Sequence, residues 1–167
     1  SRGKIFERDA KGVPQRMTGT YKDITERKQA QHILQESERR FRAIFNSSFG
    51  FTALLQPNGK IISLNQTALD YFGLKENEVV DKSVWECLGN NICLSREQIQ
   101  KVTKKAANGN FSRFEVDIIA ESGSISTFDS SIKPIFDDNN RVVLLIAEGR
   151  DIQERKILER EVALREA

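Results

Sequence analysis

The six residues Asp23-Ile-Thr-Glu-Arg-Lys28 return as Asp151-Ile-Gln-Glu-Arg-Lys156, 128 residues further along the chain. Each copy opens on an aspartate and carries a glutamate three residues later, Asp23 with Glu26 and Asp151 with Glu154. That spacing predicts a capped helix start: the aspartate accepts from orphan amides of the first turn, and the glutamate reaches back to the cap amide. Both acids also suit the positive end of a helix. Upstream of each copy is a strand-like run, Val13 to Lys22 and Arg141 to Arg150, and each run follows a polar turn, Asp9-Ala-Lys-Gly12 and Asp137-Asp-Asn-Asn140. The repeating unit is strand, turn, strand, helix. An offset of 128 residues is far longer than a solenoid period and points to repeated domains.

This divides the 167 residues into one domain with appendages. Residues 1–22 read as the last hairpin of a preceding domain, cut at Ser1-Arg2-Gly3-Lys4. Residues 23–48 read as a connecting helix, 49–151 as a complete domain and 152–167 as the start of an exit helix. Hydrophobic residues make up 38% of the chain, enough for one modest core. The formal net charge of +2 is spread along segments of alternating sign, which argues against nucleic acid as a partner. The small cluster Lys101, Lys104 and Lys105 reads as a solvated helix face. No apolar run reaches the length of a membrane span and there is no signal peptide. Cys87 and Cys93 fit a reducing compartment, so the expected location is cytoplasmic. Their spacing resembles no common metal site.

The connecting helix should run from Glu26 to about Ser48, with favourable pairs Glu36/Arg40 and Glu38/Arg42. Its apolar residues, Ile33, Leu34, Phe41, Ile44 and Phe45, are expected to pack its second half on the following domain. Strands are expected at Phe51–Leu55 and Ile61–Asn65, around the turn Pro57-Asn58-Gly59. Asn65 should cap a helix from Gln66 to Phe72 that Gly73 ends. Short helical pieces follow at 75–81 and 84–88. Ser95 should cap a longer helix, Arg96–Ala107. Then come three strands, with Phe114, Val116 and Ile118 on one face of the first, and Ser126, Phe128, Ser130 and Ile132 on one face of the second. The run Val142–Ala147 is wholly apolar and predicts a central strand covered on both faces. The fold class is α+β, one antiparallel sheet with helices on one side.

In this order, the stretches "PNGKIISLNQTALDYFGL", "KENEVVDKSVWECLG" and "FSRFEVDI…STFDSSIKPIFDDNNRVVLLIAEGRDIQERK" resemble a PAS sensory domain. "GKIFERDAKGVPQRMTGTYKDITERK" resembles the closing strands of a second one, with its PAC motif. The resemblance implies a five-stranded antiparallel sheet, a cavity between it and the short helices, and signalling through flanking helices. It implies a tandem sensory region of a bacterial protein, foremost a sensor histidine kinase in a two-component phosphorelay, less often a diguanylate cyclase or a transcription regulator. It also implies a homodimer and contact with neighbouring domains of the same chain.

Cofactor signals are poor. The flavin-photoreceptor branch carries G-x-N-C-R-F-L-Q. Here "GNNICLSREQ" places Cys93 near that position, but the residues after it do not match, and Gly149 stands where that branch has its flavin-contacting glutamine. Cys93 therefore reads as a partly buried helix-edge cysteine. Haem-binding members need a histidine on the helix 96–107, which has none; His32 lies in the connector and reads as solvent-exposed. Neither a flavin adduct nor haem is expected, and the cofactor stays unknown. Candidates to line a cavity are Phe72, Trp85, Phe114 and Phe128, for which core packing is the competing explanation, with Asn65 and Ser130. With Ser126 and Ser130 inward, the cavity should be partly polar, suiting a small polar ligand or ordered water. No phosphate loop, nucleophile elbow or metal cluster is present, so catalysis within this stretch is not expected. Asp23, Glu26, Asp151 and Glu154 are the candidate coupling residues. Two functions remain: a sensory relay, and a ligand-free module that dimerises or spaces other domains.

Overall fold

The computed structural model describes residues 2–20 and 22–166. They form two compact units, Ser1–Arg42 and Ala43–Ala167.

In the first unit, β1 (Arg2–Arg8) and β2 (Pro14–Thr20) form an antiparallel hairpin. The Asp9 carboxylate ties its turn, accepting from the amides of Lys11 and Val13 at 2.9 Å each. Gly12 adopts the left-handed φ of 80° that the turn demands. Helix α1 (Thr25–Asn46) follows. It forms the Glu36–Arg40 and Glu38–Arg42 pairs, yet buries none of its residues. Ile33 and Ile44 are 67% and 74% exposed, while Phe45 is half-buried. A stripe confined to a few positions on an otherwise charged helix needs a neighbouring surface before it can leave water.

The second unit holds β3 (Phe51–Leu55), β4 (Ile61–Leu64), α2 (Gln66–Phe72), α3 (Glu76–Val79), α4 (Val84–Cys87), α5 (Arg96–Ala107), β5 (Ser112–Ile119), β6 (Ile125–Phe136), β7 (Val142–Asp151) and α6 (Gln153–Glu166). The five strands make one antiparallel sheet in the order β4-β3-β7-β6-β5. Local chemistry accounts for the helix ends. Asn65 caps α2 and Gly73 closes it at φ 65°. Ser95 and Gln98 form a reciprocal capping box on α5. Helix α5 packs on β5, β6 and β7, and the core lies between helices and sheet, around Leu55, Ile61, Val79 and Leu145. The apolar strand β7 is central as expected, but it is not covered twice: Val143 is 50% exposed. An antiparallel sheet can leave one face to water, so an unbroken apolar run fixes the position of a strand better than its covering.

The two units repeat one piece of local structure. Asp137 accepts from Asn139 and Arg141 at 2.9 and 2.8 Å, as Asp9 does from Lys11 and Val13. Asn140 takes φ 59° where Gly12 takes 80°. Asp23 accepts from the Thr25 amide at 2.9 Å, and Asp151 from the Gln153 amide at 2.8 Å. The first helical hydrogen bonds run from Lys28 to the Ile24 carbonyl and from Lys156 to the Ile152 carbonyl. Each isoleucine is thus the cap, and each aspartate stands one residue outside it. That offset corrects the expected capping box. Glu26 and Glu154 fall on the second helical residue, one short of the position that reaches back, and neither makes the reciprocal bond among the described residues.

Among the described residues no helix is long and apolar enough to cross a membrane.

Candidate ligand cavity and exit junction

Strand register builds the floor of an internal cavity. Phe51, Gly149, Ser130 and Phe114 lie side by side across β3, β7, β6 and β5. Ala53, Ala147, Ile132 and Ser112 form the next row. Small residues in both rows leave space beneath the helices. The resulting cavity is about 100 Å³, roofed by Ala68 and Phe72 of α2, Val84 of α4, and Ile99 and Val102 of α5.

Of the residues expected on its wall, Phe72, Phe114 and Ser130 are there. Asn65, Trp85 and Phe128 are not. Asn65 is fully buried, but its amide is consumed by the backbone. Its Oδ1 accepts from Thr52 N and Ala68 N at 3.1 Å, and its Nδ2 donates to the Gly50 carbonyl at 2.9 Å. It clasps the strand before β4 to the start of α2. Trp85 covers the β3–β4 turn, where a Cβ on Gly59 would come within 2.4 Å of the indole. Phe128 stacks on Phe51 with ring centroids 4.5 Å apart, in a cluster completed by Tyr71 and Phe72. Gly149 lies directly under that cluster. A Cβ there would already touch Phe128 at 3.5 Å, Phe51 at 3.6 Å and the Ser130 hydroxyl at 3.4 Å.

The wall is almost wholly apolar, which overturns the expectation of a partly polar interior. Thr103 spends its hydroxyl on the Ile99 carbonyl at 2.8 Å. Two buried hydroxyls, Tyr71 Oη and Ser112 Oγ, have no hydrogen-bond partner among the described residues. Burial pushes the Tyr71 phenol up. Ser126 and Asp151 are close enough to influence it, although Ser126 lies outside hydrogen-bond geometry.

These residues do not fit a flavin or a haem. The cavity of about 100 Å³ is well below the ~300–1,000 Å³ typical of pockets for larger ligands, and the aromatic cluster fills the space over Gly149. Cys93 is exposed, not half-buried on a helix edge. It sits in a loop, its amide donating to the Asp117 carbonyl at 2.9 Å. Cys87 on α4 is the half-buried thiol, and burial pushes it up. His32 is exposed on α1.

At the other end of the sheet, the exit helix is bolted to β6. The Ile152 amide donates to the Thr127 carbonyl at 2.9 Å, and the Thr127 amide donates to Gln153 Oε1 at 3.2 Å. Thr127 Oγ1 donates to Asp117 Oδ1 at 2.8 Å. Arg155 and Lys156 pair with Glu115 at 3.4 and 2.6 Å. Ile152 is 7% exposed, whereas Ile24, its counterpart in the first unit, is 43% exposed. The sequence pointed to Asp151 at this junction and passed over Tyr71, Thr127 and Gln153. Only the aromatic pair Tyr71-Phe72 carried a sequence signal for the cluster; Thr127 and Gln153 meet by tertiary contact alone.

An antiparallel five-stranded sheet, short helices lying over an apolar cavity, and a helix leaving directly from the central strand define a single-sheet α+β domain with space between its two layers. The sequence pattern of the PAS domain matches residues 47–154, and the chain belongs to the PAS domain family. It is 32% identical over 129 residues to the sensor histidine kinase TmoS of Ectopseudomonas mendocina, covering 74% of this chain and 13% of that protein. It is 31% identical over 134 residues to the hybrid signal transduction histidine kinase D of Dictyostelium discoideum, covering 77% of this chain and 8% of that protein. The chain therefore spans a small part of the length of these relatives. In fold it is similar to the PAS domain of an HTR-like protein from Haloarcula marismortui, with TM-score 0.61 and 23% identity, over 75% of this chain and 99% of that one.

Proposed function

We propose that this chain is the sensory and signal-relay region of a multidomain signalling protein, foremost a cytoplasmic two-component sensor histidine kinase. The observation that carries the reading is the exit junction. Strand β6 presents Ser130 to the cavity and holds the first turn of α6 through Thr127. A ligand that changes the cavity moves β6, and β6 moves the helix. Tyr71 adds a second route, because its ring belongs to the aromatic cluster and its unpaired hydroxyl lies near Ser126 and Asp151. Binding shifts output only through different affinity for the two arrangements. Asp151 and, at the equivalent border, Asp23 are the coupling residues; Glu26 and Glu154 support them only as charges near a helix start. Residues 1–22 are the closing hairpin of a preceding domain of the same kind, a reading supported by the repeated turns and helix starts.

The test uses the protein that carries this region. Asp151→Ala should abolish regulation of autophosphorylation while ligand binding persists. Regulation that survives unchanged ends the relay reading.

The exposed Ile33 and Ile44 on α1 favour a second role, self-association along the connector. Native mass spectrometry of the chain and of an Ile33→Glu/Ile44→Glu double variant tests it: the dimer should be present in the first and lost in the second.

A further inference from the structure

We infer that the cavity takes one small apolar molecule, of the size and chemistry of a single hydrocarbon ring; the inference rests on the sensory reading above and names its ligand class. Size comes first. The cavity is about 100 Å³, and apolar cavities of roughly 150 Å³ stay dry and admit benzene or xenon. A multi-ring cofactor or a peptide has no room. Chemistry comes second. A carboxylate, phosphate or amine would lose its water and need a charged or multiply hydrogen-bonding partner, and the wall supplies neither. Asn65 is committed to three backbone groups. Thr103 is committed to Ile99. Glu148 borders the cavity, but its carboxylate is paired with Lys133 and exposed. Ser130, Ser131 and Thr52 also border it, but they show it almost no polar surface. Ordered water needs two to four polar partners, so water is disfavoured for the same reason. What is left is space bounded by Phe72, Phe114, Val116, Ile99 and Ile132, a surface that gains by contact with another apolar molecule.

The experiment follows the methyl spectra of the whole 167-residue chain during titration with benzene, xenon, benzoate and glycerol. Benzene and xenon should shift methyl groups of Leu55, Ile99, Val116 and Ile132 saturably; benzoate and glycerol should leave them still. Ala53→Leu, which fills the floor, should weaken benzene binding at least tenfold. Ser130→Val, which removes the hydroxyl on the cavity floor, should leave it within about twofold and provides the test if Ala53→Leu fails to fold. Shifts with benzoate or glycerol in place of benzene would overturn the ligand class, as would benzene binding lost in Ser130→Val. No saturable shift with benzene or xenon would overturn it too. In that case, an Asp151→Ala protein that still loses regulation would leave the relay standing without this ligand.

Discussion

The Ile152 amide donates to the Thr127 carbonyl at 2.9 Å, so the residue that caps the exit helix is also a rung of the sheet. The helix cannot start elsewhere, or turn about its first residue, without breaking that rung. The Gln153 side chain doubles it by accepting from the Thr127 amide.

Gln153→Ala should leave the Thr127 amide half-buried and unpaired. The expected loss is about 1 kcal/mol of stability. Hydrogen exchange at Thr127 and Ile152 should quicken more than at Leu145 in the core. Equal rates at these sites in the two proteins would show that the side-chain bond does not hold the junction.

Asn65→Ala removes three hydrogen bonds, one of them the cap of α2. The expected cost is about 2–4 kcal/mol in urea denaturation. Asn65→Asp keeps both acceptor roles but sets a buried carboxyl against the Gly50 carbonyl, so its cost should grow as the pH rises through and above the usual carboxylate range. A cost independent of pH would mean that no buried charge forms there.

Gly149 is a packing position. Gly149→Ala should be nearly neutral, because its Cβ meets neighbours at 3.4 to 3.6 Å. Gly149→Leu should cost about 1–3 kcal/mol by overpacking against Phe51 and Phe128, and the near-ultraviolet signal of the aromatic cluster should change with it.

Arg113 holds the Asp129 carboxyl below the usual carboxylate range, first through their hydrogen bond. The folded carboxylate keeps its charge to lower pH than the unfolded one. The pair's contribution is therefore complete above the unfolded value and fades as pH falls through the folded value. The stability gap between the wild type and Arg113→Gln should be present at neutral pH, close on acidification below the usual carboxylate range, and shrink with added salt. Urea denaturation across pH at low ionic strength checks it.

The two thiols should separate kinetically. Cys93 is exposed, while Cys87 is half-buried with its thiol pushed up, so a disulfide reagent should give a fast and a slow phase. Cys93→Ser should remove the fast phase.

The sequence by itself determined the elements and much of their order. Asn65 before Gln66–Phe72, Gly73 after it, and Ser95 with Gln98 at the head of α5 are local signals, and local hydrogen bonds decide helix ends. The repeated hexapeptide and its turns were legible for the same reason: Asp9 and Asp137, or Asp23 and Asp151, bond to amides two to four residues away. Only the tertiary structure decided what those elements enclose. Whether Asn65 faced a ligand or the backbone, whether Trp85 lined the cavity or covered a turn, and whether Val143 was buried all depended on strand register and on residues distant in the chain. The same Ile, in hexapeptides that differ only at Thr25 and Gln153, is buried at 152 and exposed at 24. Hydrogen bonds between near neighbours travel with the sequence, whereas burial belongs to whichever surface arrives from elsewhere.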